Sequence, residues 1–188
     1  MPHSFDFDSV EARLFALHHV ALGSQEFCAR FLIDRTAEPA SDYEWGEYLG
    51  RLKTLVSGTL IDAAVKIRML QDFARHEDEE LDVQSMQNNA VAGLKIGYAT
   101  GPLTLLALRE SCNKIIHATE AKLVWHDGIA GTSKYEYWTG MYQLTGTEQN
   151  GSPWQVVIHV PEWCTAITRF TRDFQDKIDW AHVIKWDE

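Results

Sequence analysis

Residues 108–118 read Leu-Arg-Glu-Ser-Cys-Asn-Lys-Ile-Ile-His-Ala. Arg109, Asn113 and His117 stand four residues apart in this stretch. On a helix that interval stacks side chains one above another along a stripe. A stripe that can donate, accept and titrate has the chemistry to handle a phosphodiester. The same residues also suit an ordinary hydrogen-bonded seam between helices or subunits, because buried polar groups need partners, or a ligand-binding surface.

Other candidate constellations are weaker. Cys112 and His117 resemble a nucleophile and base, but five helical steps turn them apart by about 140°, so Cys112 reads as core. Arg13 with His18 and His19 leaves four and five residues between an arginine and a histidine, a spacing expected by chance among eight histidines. His117, His126, His159 and His182 lack metal-ligand spacing. Neither a phosphate-binding glycine loop nor a serine-nucleophile elbow occurs. No metal and no cofactor are therefore expected. Six of the seven tryptophans lie between Trp125 and Trp186. They could stack bases, but packing a small sheet onto helices is the simpler use.

The elements that position these residues are mostly helical. Asp8 and Glu11 have capping-box spacing at the start of a helix over about 9–33. Leu14, Leu17, Ala21, Cys28 and Phe31 give its buried stripe, and Phe15, Val20 and Leu22 widen it. Ser41 and Glu44 repeat the capping box before a second long helix reaching Phe73. Gly46, Gly50 and Gly58 lie inside it, lowering propensity while letting neighbours pack close, with a kink expected near Gly58. The acidic run from His76 to Asp82 reads as a solvated linker, and Gln84 to Tyr98 as a short helix or ordered loop. A third long helix is expected to start at Gly101-Pro102, with Leu105, Leu108, Cys112, Ile115 and Ile116 as its apolar stripe.

The pattern then changes to period two. Ala121–Trp125, Tyr135–Thr145 and Trp154–Val160 read as strands, with Asp127-Gly128 and Asn150-Gly151 as turns and Gly140 as a bulge. Pro161 and Glu162 open a last helix whose buried face is Trp163, Ile167, Phe170, Phe174 and Ile178. The expected fold is mainly α, a single domain over residues 1–188. A four-helix core covers about 9–118 and 161–180, and a small antiparallel β-meander at about 119–160 is inserted before the last helix.

A four-helix core carrying Asn-x-x-x-His on its third long helix resembles the HEPN superfamily, and the segment around Asn113 and His117 is similar to bacterial HEPN-like proteins. The family signature is Arg, four to six residues, then His, commonly with a polar residue after the Arg. Asn113 and His117 match it. Cys112 stands where the family has Arg, and Arg109 lies one turn earlier with seven residues between it and His117. The resemblance implies a homodimer whose two motif helices form a composite, metal-independent endoribonuclease site. His117 would be the general acid or base, Arg109 a substitute phosphate ligand, and Asn113 their orienter. It implies a defence or toxin–antitoxin setting, with RNA or a cognate antitoxin protein as partner. The alternative is a catalytically silent HEPN-like dimerisation or partner-binding module, which Cys112 favours.

Composition bounds these readings. The chain of 188 residues is 45% hydrophobic and 23% charged, enough for a core without disulfides or metals. Its net charge of −10 opposes binding to DNA and anionic membranes and makes an RNA substrate less favourable. Three scattered cysteines fit a reducing cytoplasm. No apolar run is long enough to span a bilayer, and the acidic N-terminus lacks signal-peptide character.

Overall fold

The computed structural model describes residues 6–36, 43–77, 81–101 and 104–178. Helix α1 (Phe7–Phe31) begins two residues earlier than the sequence predicts. Its cap is Asp6, whose carboxylate accepts from the Ser9 amide at 2.9 Å, and Asp8 lies in the first turn beside the exposed amides. Val10, Leu14, Leu17, Ala21 and Cys28 are buried at helical spacing. Phe15 and Leu22, expected to widen the buried surface, are each 67% exposed. Only one face of α1 is covered.

Helix α2 (Trp45–Glu77) runs unbroken through all three of its glycines. The expected cap at Ser41 lies outside the described residues. A methyl group added at Gly46, Gly50 or Gly58 would meet nothing within 4 Å. These glycines therefore do not admit close neighbours, as the sequence suggested. The buried side of α2 is built instead from Leu52, Val56, Leu60, Ala63, Ala64, Ile67 and Leu70. Of the acidic run, residues 78–80 are outside the described residues. Asp82 caps the short helix α3 (Val83–Val91) by accepting from the Ser85 amide at 2.9 Å.

The expected third long helix is replaced by two short strands and a short helix. Strands β1 (Gly97–Ala99) and β2 (Thr104–Leu105) pair with each other, and α4 (Leu108–His117) follows with ten residues. Leu105 fitted the helical period, yet it is 61% exposed; its neighbour Leu106 is the buried residue. Three-residue strands are too short to announce themselves by alternation.

Strands β3 (Glu120–Ala130), β4 (Ser133–Thr147) and β5 (Pro153–His159) form the expected meander. It is not isolated: β1 pairs with β5, giving an antiparallel sheet in the order β2-β1-β5-β4-β3. Asp127-Gly128 is not a turn. Gly128 pairs with Tyr135 inside the hairpin, and the Tyr135 ring lies where a β-carbon on Gly128 would sit, so glycine here makes room for an aromatic across the strand. The turn falls at Gly131-Thr132, while Asn150-Gly151 does turn between β4 and β5. Gly140 marks a bulge as expected. Between the pairs Leu123–Tyr142 and Trp125–Trp138, three residues of β4 oppose Val124 alone. Gly140 takes φ +77°. The Thr139 hydroxyl donates to the Val124 carbonyl at 2.9 Å, and the Trp138 indole donates to the Met141 carbonyl at 2.8 Å.

Helix α5 (Val160–Lys177) leads straight from β5, with Pro161 in its first turn. It packs on α1 and α3, α1 lies across β4, and α2 holds α4. The main core draws on all five helices and on the sheet. A second cluster of Phe27, Tyr43, Trp45, Tyr48 and Tyr135 closes the ends of α1 and α2 on the hairpin. Arg35 lies 5.4 Å above Trp45 there and pairs with the buried carboxylate of Glu136. The described residues thus form a mixed α/β protein with five helices and a five-stranded sheet. The expectation of a mainly helical chain with an antiparallel meander before the last helix holds in part: helix predominates, but the sheet has five strands, so the fold is not a helical bundle with a minor insert. Sheet residues from both sides of α4 join into one layer, which a reading that assigned residues up to 118 to helix had split.

Candidate functional site

Helix α4 carries the three predicted site residues, but their surroundings differ. Leu108, Ser111, Cys112 and Ile115 are buried. This inner face is fixed by the Trp163 indole, which donates to the Ser111 hydroxyl at 2.9 Å, and by that hydroxyl donating to the Leu108 carbonyl at 2.7 Å. Arg109 starts the helix and His117 ends it. Eight helical steps separate them by about 12 Å along the axis and about 80° around it. Asn113 lies between them, half-buried, and His117 is exposed. Neither side chain has a hydrogen-bond partner among the described residues.

Arg109 is turned away from this end, toward α2. Its Nη2 donates to the Asp72 carboxylate at 2.9 Å, and its Nη1 lies 3.4 Å from the Gln71 side-chain oxygen. Arg68 reaches the same two residues, at 3.2 Å each. Asp72 therefore spends one oxygen on each guanidinium, a charge-assisted arrangement that locks both arginines at the α2–α4 contact. Gln71 is fully buried, and its side-chain nitrogen has no hydrogen-bond partner among the described residues. Arg109 behaves as the interhelical seam that the sequence left open, and within one chain it does not meet His117.

Cys112 is fully buried. Burial pushes its thiol up to about 12, and the Ser111 hydrogen bond and the charges of Arg68 and Arg109 offset little of this. It is core, as expected, and no nucleophile. Among the described residues no three His, Cys, Asp or Glu side chains gather as metal ligands. No described helix is long and apolar enough to cross a membrane. Trp138 and Trp163 are buried and Trp125 and Trp154 are partly buried, so the described tryptophans pack the sheet and helices. His182 and Trp186 lie outside the described residues.

The pair Arg13 and His18 separates. Arg13 donates to Asp62 of α2 at 3.2 Å. His18 faces the other way, into a groove of about 560 Å³ between α1 and α5. There it shares walls with Glu11 and Phe15 of α1 and with Thr168, Arg169 and Arg172 of α5. The sequence reading missed this constellation. Its signal was the spacing 165, 168, 169 and 172, which puts two threonines and two arginines on one face of α5. Compared with protein-family models, with curated proteins and with solved structures, the chain matches none.

Proposed function

We propose that this chain is a HEPN-like cytoplasmic module, with α1, α2, α4 and α5 as its helical core. It acts by dimerisation or by binding a partner protein rather than by cutting RNA. The observation that carries this reading is the Arg109–Asp72 contact at 2.9 Å. A phosphate ligand must keep its donors free, and Arg109 already divides its fork between the Asp72 carboxylate and the Gln71 side-chain oxygen. With Cys112 buried where the family has its cation, α4 retains an amide and an imidazole but no phosphate clamp. Three buried free thiols fit a reducing compartment.

The nuclease reading keeps one favourable observation. His117 is exposed, with Asn113 one turn before it. Two α4 helices meeting about a two-fold axis would bring two imidazoles together in a composite, metal-independent site. Its setting would then be a defence or toxin–antitoxin system. The deciding experiment incubates wild type and His117→Ala with a mixed RNA pool in chelator. No cleavage by either is expected. Cleavage by wild type that is lost in His117→Ala would establish the nuclease instead. Sedimentation of wild type should show a dimer, and Asn113→Glu with His117→Glu should weaken it.

A further inference from the structure

We propose that the groove between α1 and α5 binds a phosphate monoester that carries a flat apolar group. Its volume of about 560 Å³ is that of a small-molecule site, and its lining combines apolar and polar side chains. Apolar surface comes from Leu14 and Cys164, both buried, and from Phe15. That ring is 67% exposed and is held by its neighbour: the His19 ring lies tilted against it, 4.0 Å between centroids, while its Nδ1 bonds the Phe15 carbonyl oxygen at 2.8 Å. An exposed ring held in place at a groove wall is a platform for another flat group.

The polar part is rich in unused donors. Arg169 gives one N–H to the Ala92 carbonyl at 3.0 Å and makes no ion pair among the described residues, so most of its five donors remain free. The Thr168 hydroxyl and the His18 ring have no hydrogen-bond partner among the described residues, and both face the groove. Arg172 is engaged by Glu11 through two bonds of 3.1 Å. Glu11 is the less exposed partner, its side chain 29% exposed against 66% for Arg172, so a ligand must displace a bidentate pair to recruit this arginine. Donors from Thr168, Arg169 and His18, with Arg172 in reserve, exceed the two oxygens of a carboxylate and suit the three of a phosphoryl group. On a chain of net charge −10, two arginines against the single carboxylate of Glu11 leave the lining locally positive, which suits an anion. Glu11 is then the gate, since it competes with the ligand for Arg172.

The site is independent of α4, so it survives or fails apart from the HEPN-like reading. Ligand-observed NMR titration of the full chain with phenyl phosphate, benzoate and inorganic phosphate tests it. Saturable binding of phenyl phosphate is expected, tighter than either other probe. Arg169→Ala should weaken it by roughly tenfold, the usual scale for one charge-assisted contact. Phe15→Ala should weaken phenyl phosphate but leave inorganic phosphate unchanged. Glu11→Gln, which frees Arg172, should tighten binding by about threefold or more. All three substitutions are at the helix surface, and circular dichroism should show each variant folded. The proposal is overturned by no saturable binding below about 10 mM, by benzoate binding as well as phenyl phosphate, or by Arg169→Ala and Glu11→Gln leaving affinity unchanged.

Discussion

Replacing Arg109 tests whether it is a structural strut or an available cation. Its side chain is 27% exposed and that of Asp72 49%, so the pair is partly screened by water. Exposed ion pairs contribute about 0–1 kcal/mol, and partial burial with a short hydrogen bond places this one near the top of that range. Arg109→Ala should therefore cost about 1–1.5 kcal/mol, with the excess over the pair coming from the aliphatic stem against α2. Gln71 is not orphaned by the change, because Arg68 still donates to its oxygen at 3.2 Å. Asp72→Ala releases both arginines, so the pairwise term needs a double-mutant cycle of Arg109→Ala with Asp72→Ala, read by urea unfolding. The expected coupling is about 0.5–1 kcal/mol, shrinking in 1 M salt, where the Debye length is about 3 Å. A coupling below about 0.2 kcal/mol would mean that Arg109 is not held by Asp72 in solution. The argument against a phosphate role would then fall.

Three further outcomes follow from the core. Cys112→Arg should prevent folding, because the site is fully buried and lies beside Arg68 and Arg109. An unpaired buried charge costs several kcal/mol, so the variant should be insoluble or lack native circular dichroism. Burial raises the thiols of Cys112 and Cys164 from 9.0 to about 12. Above pH 9 the unfolded chain releases these protons first and the folded chain keeps them, so stability is full below pH 9 and falls as pH rises toward 12. Urea midpoints at pH 8 and 10.5 should drop for wild type and drop less for Cys112→Ala with Cys164→Ala. Gly140→Ala should cost about 1–2 kcal/mol, since φ is +77° and the new methyl would lie 3.3 Å from the Pro161 ring; a denaturation midpoint equal to wild type would contradict the bulge.

What could be read from the sequence depended on whether the signal was local. The apolar stripe of α5 is legible because Trp163, Ile167, Phe170 and Phe174 recur at helical intervals and one face is covered along its whole length. The meander is legible because Tyr, Trp and Thr alternate through β4, burying Trp138, Tyr142 and Leu144. Strands β1 and β2 are not, since their pairing depends on Val156, Val157 and Ile158 some sixty residues later. Leu105 fits a helical stripe because a period of 3.6 cannot distinguish one chance match from an element's first turn. Phe15 and Leu22 were counted as core because hydrophobicity reports what can be buried, not what packs above it. The candidate site divides in the same way. The steps between Arg109, Asn113 and His117 follow from the helix alone, whereas the destination of Arg109 depends on how α2 registers against α4.

The same limit explains why a spacing of Arg, four residues and His is weak evidence within one helix. Five steps rotate two side chains apart by about 140°, so they cannot serve one ligand unaided. Arg13 and His18 show the consequence: the arginine goes to Asp62 on α2 and the imidazole to the α5 side. On α4 the imidazole needs a second subunit to supply a cation, because Arg109 is taken by Asp72. On α1 a cation with no ion pair among the described residues is at hand, as Arg169 of α5 lines the groove that His18 enters, while Arg172 beside it is held by Glu11. If anion chemistry occurs within a single copy of this chain, convergence across helices places it between α1 and α5. Chemistry at His117 requires the dimer. Losing phosphate affinity with Arg169→Ala while sedimentation stays that of wild type would separate the two sites, because no α4 residue lines the groove.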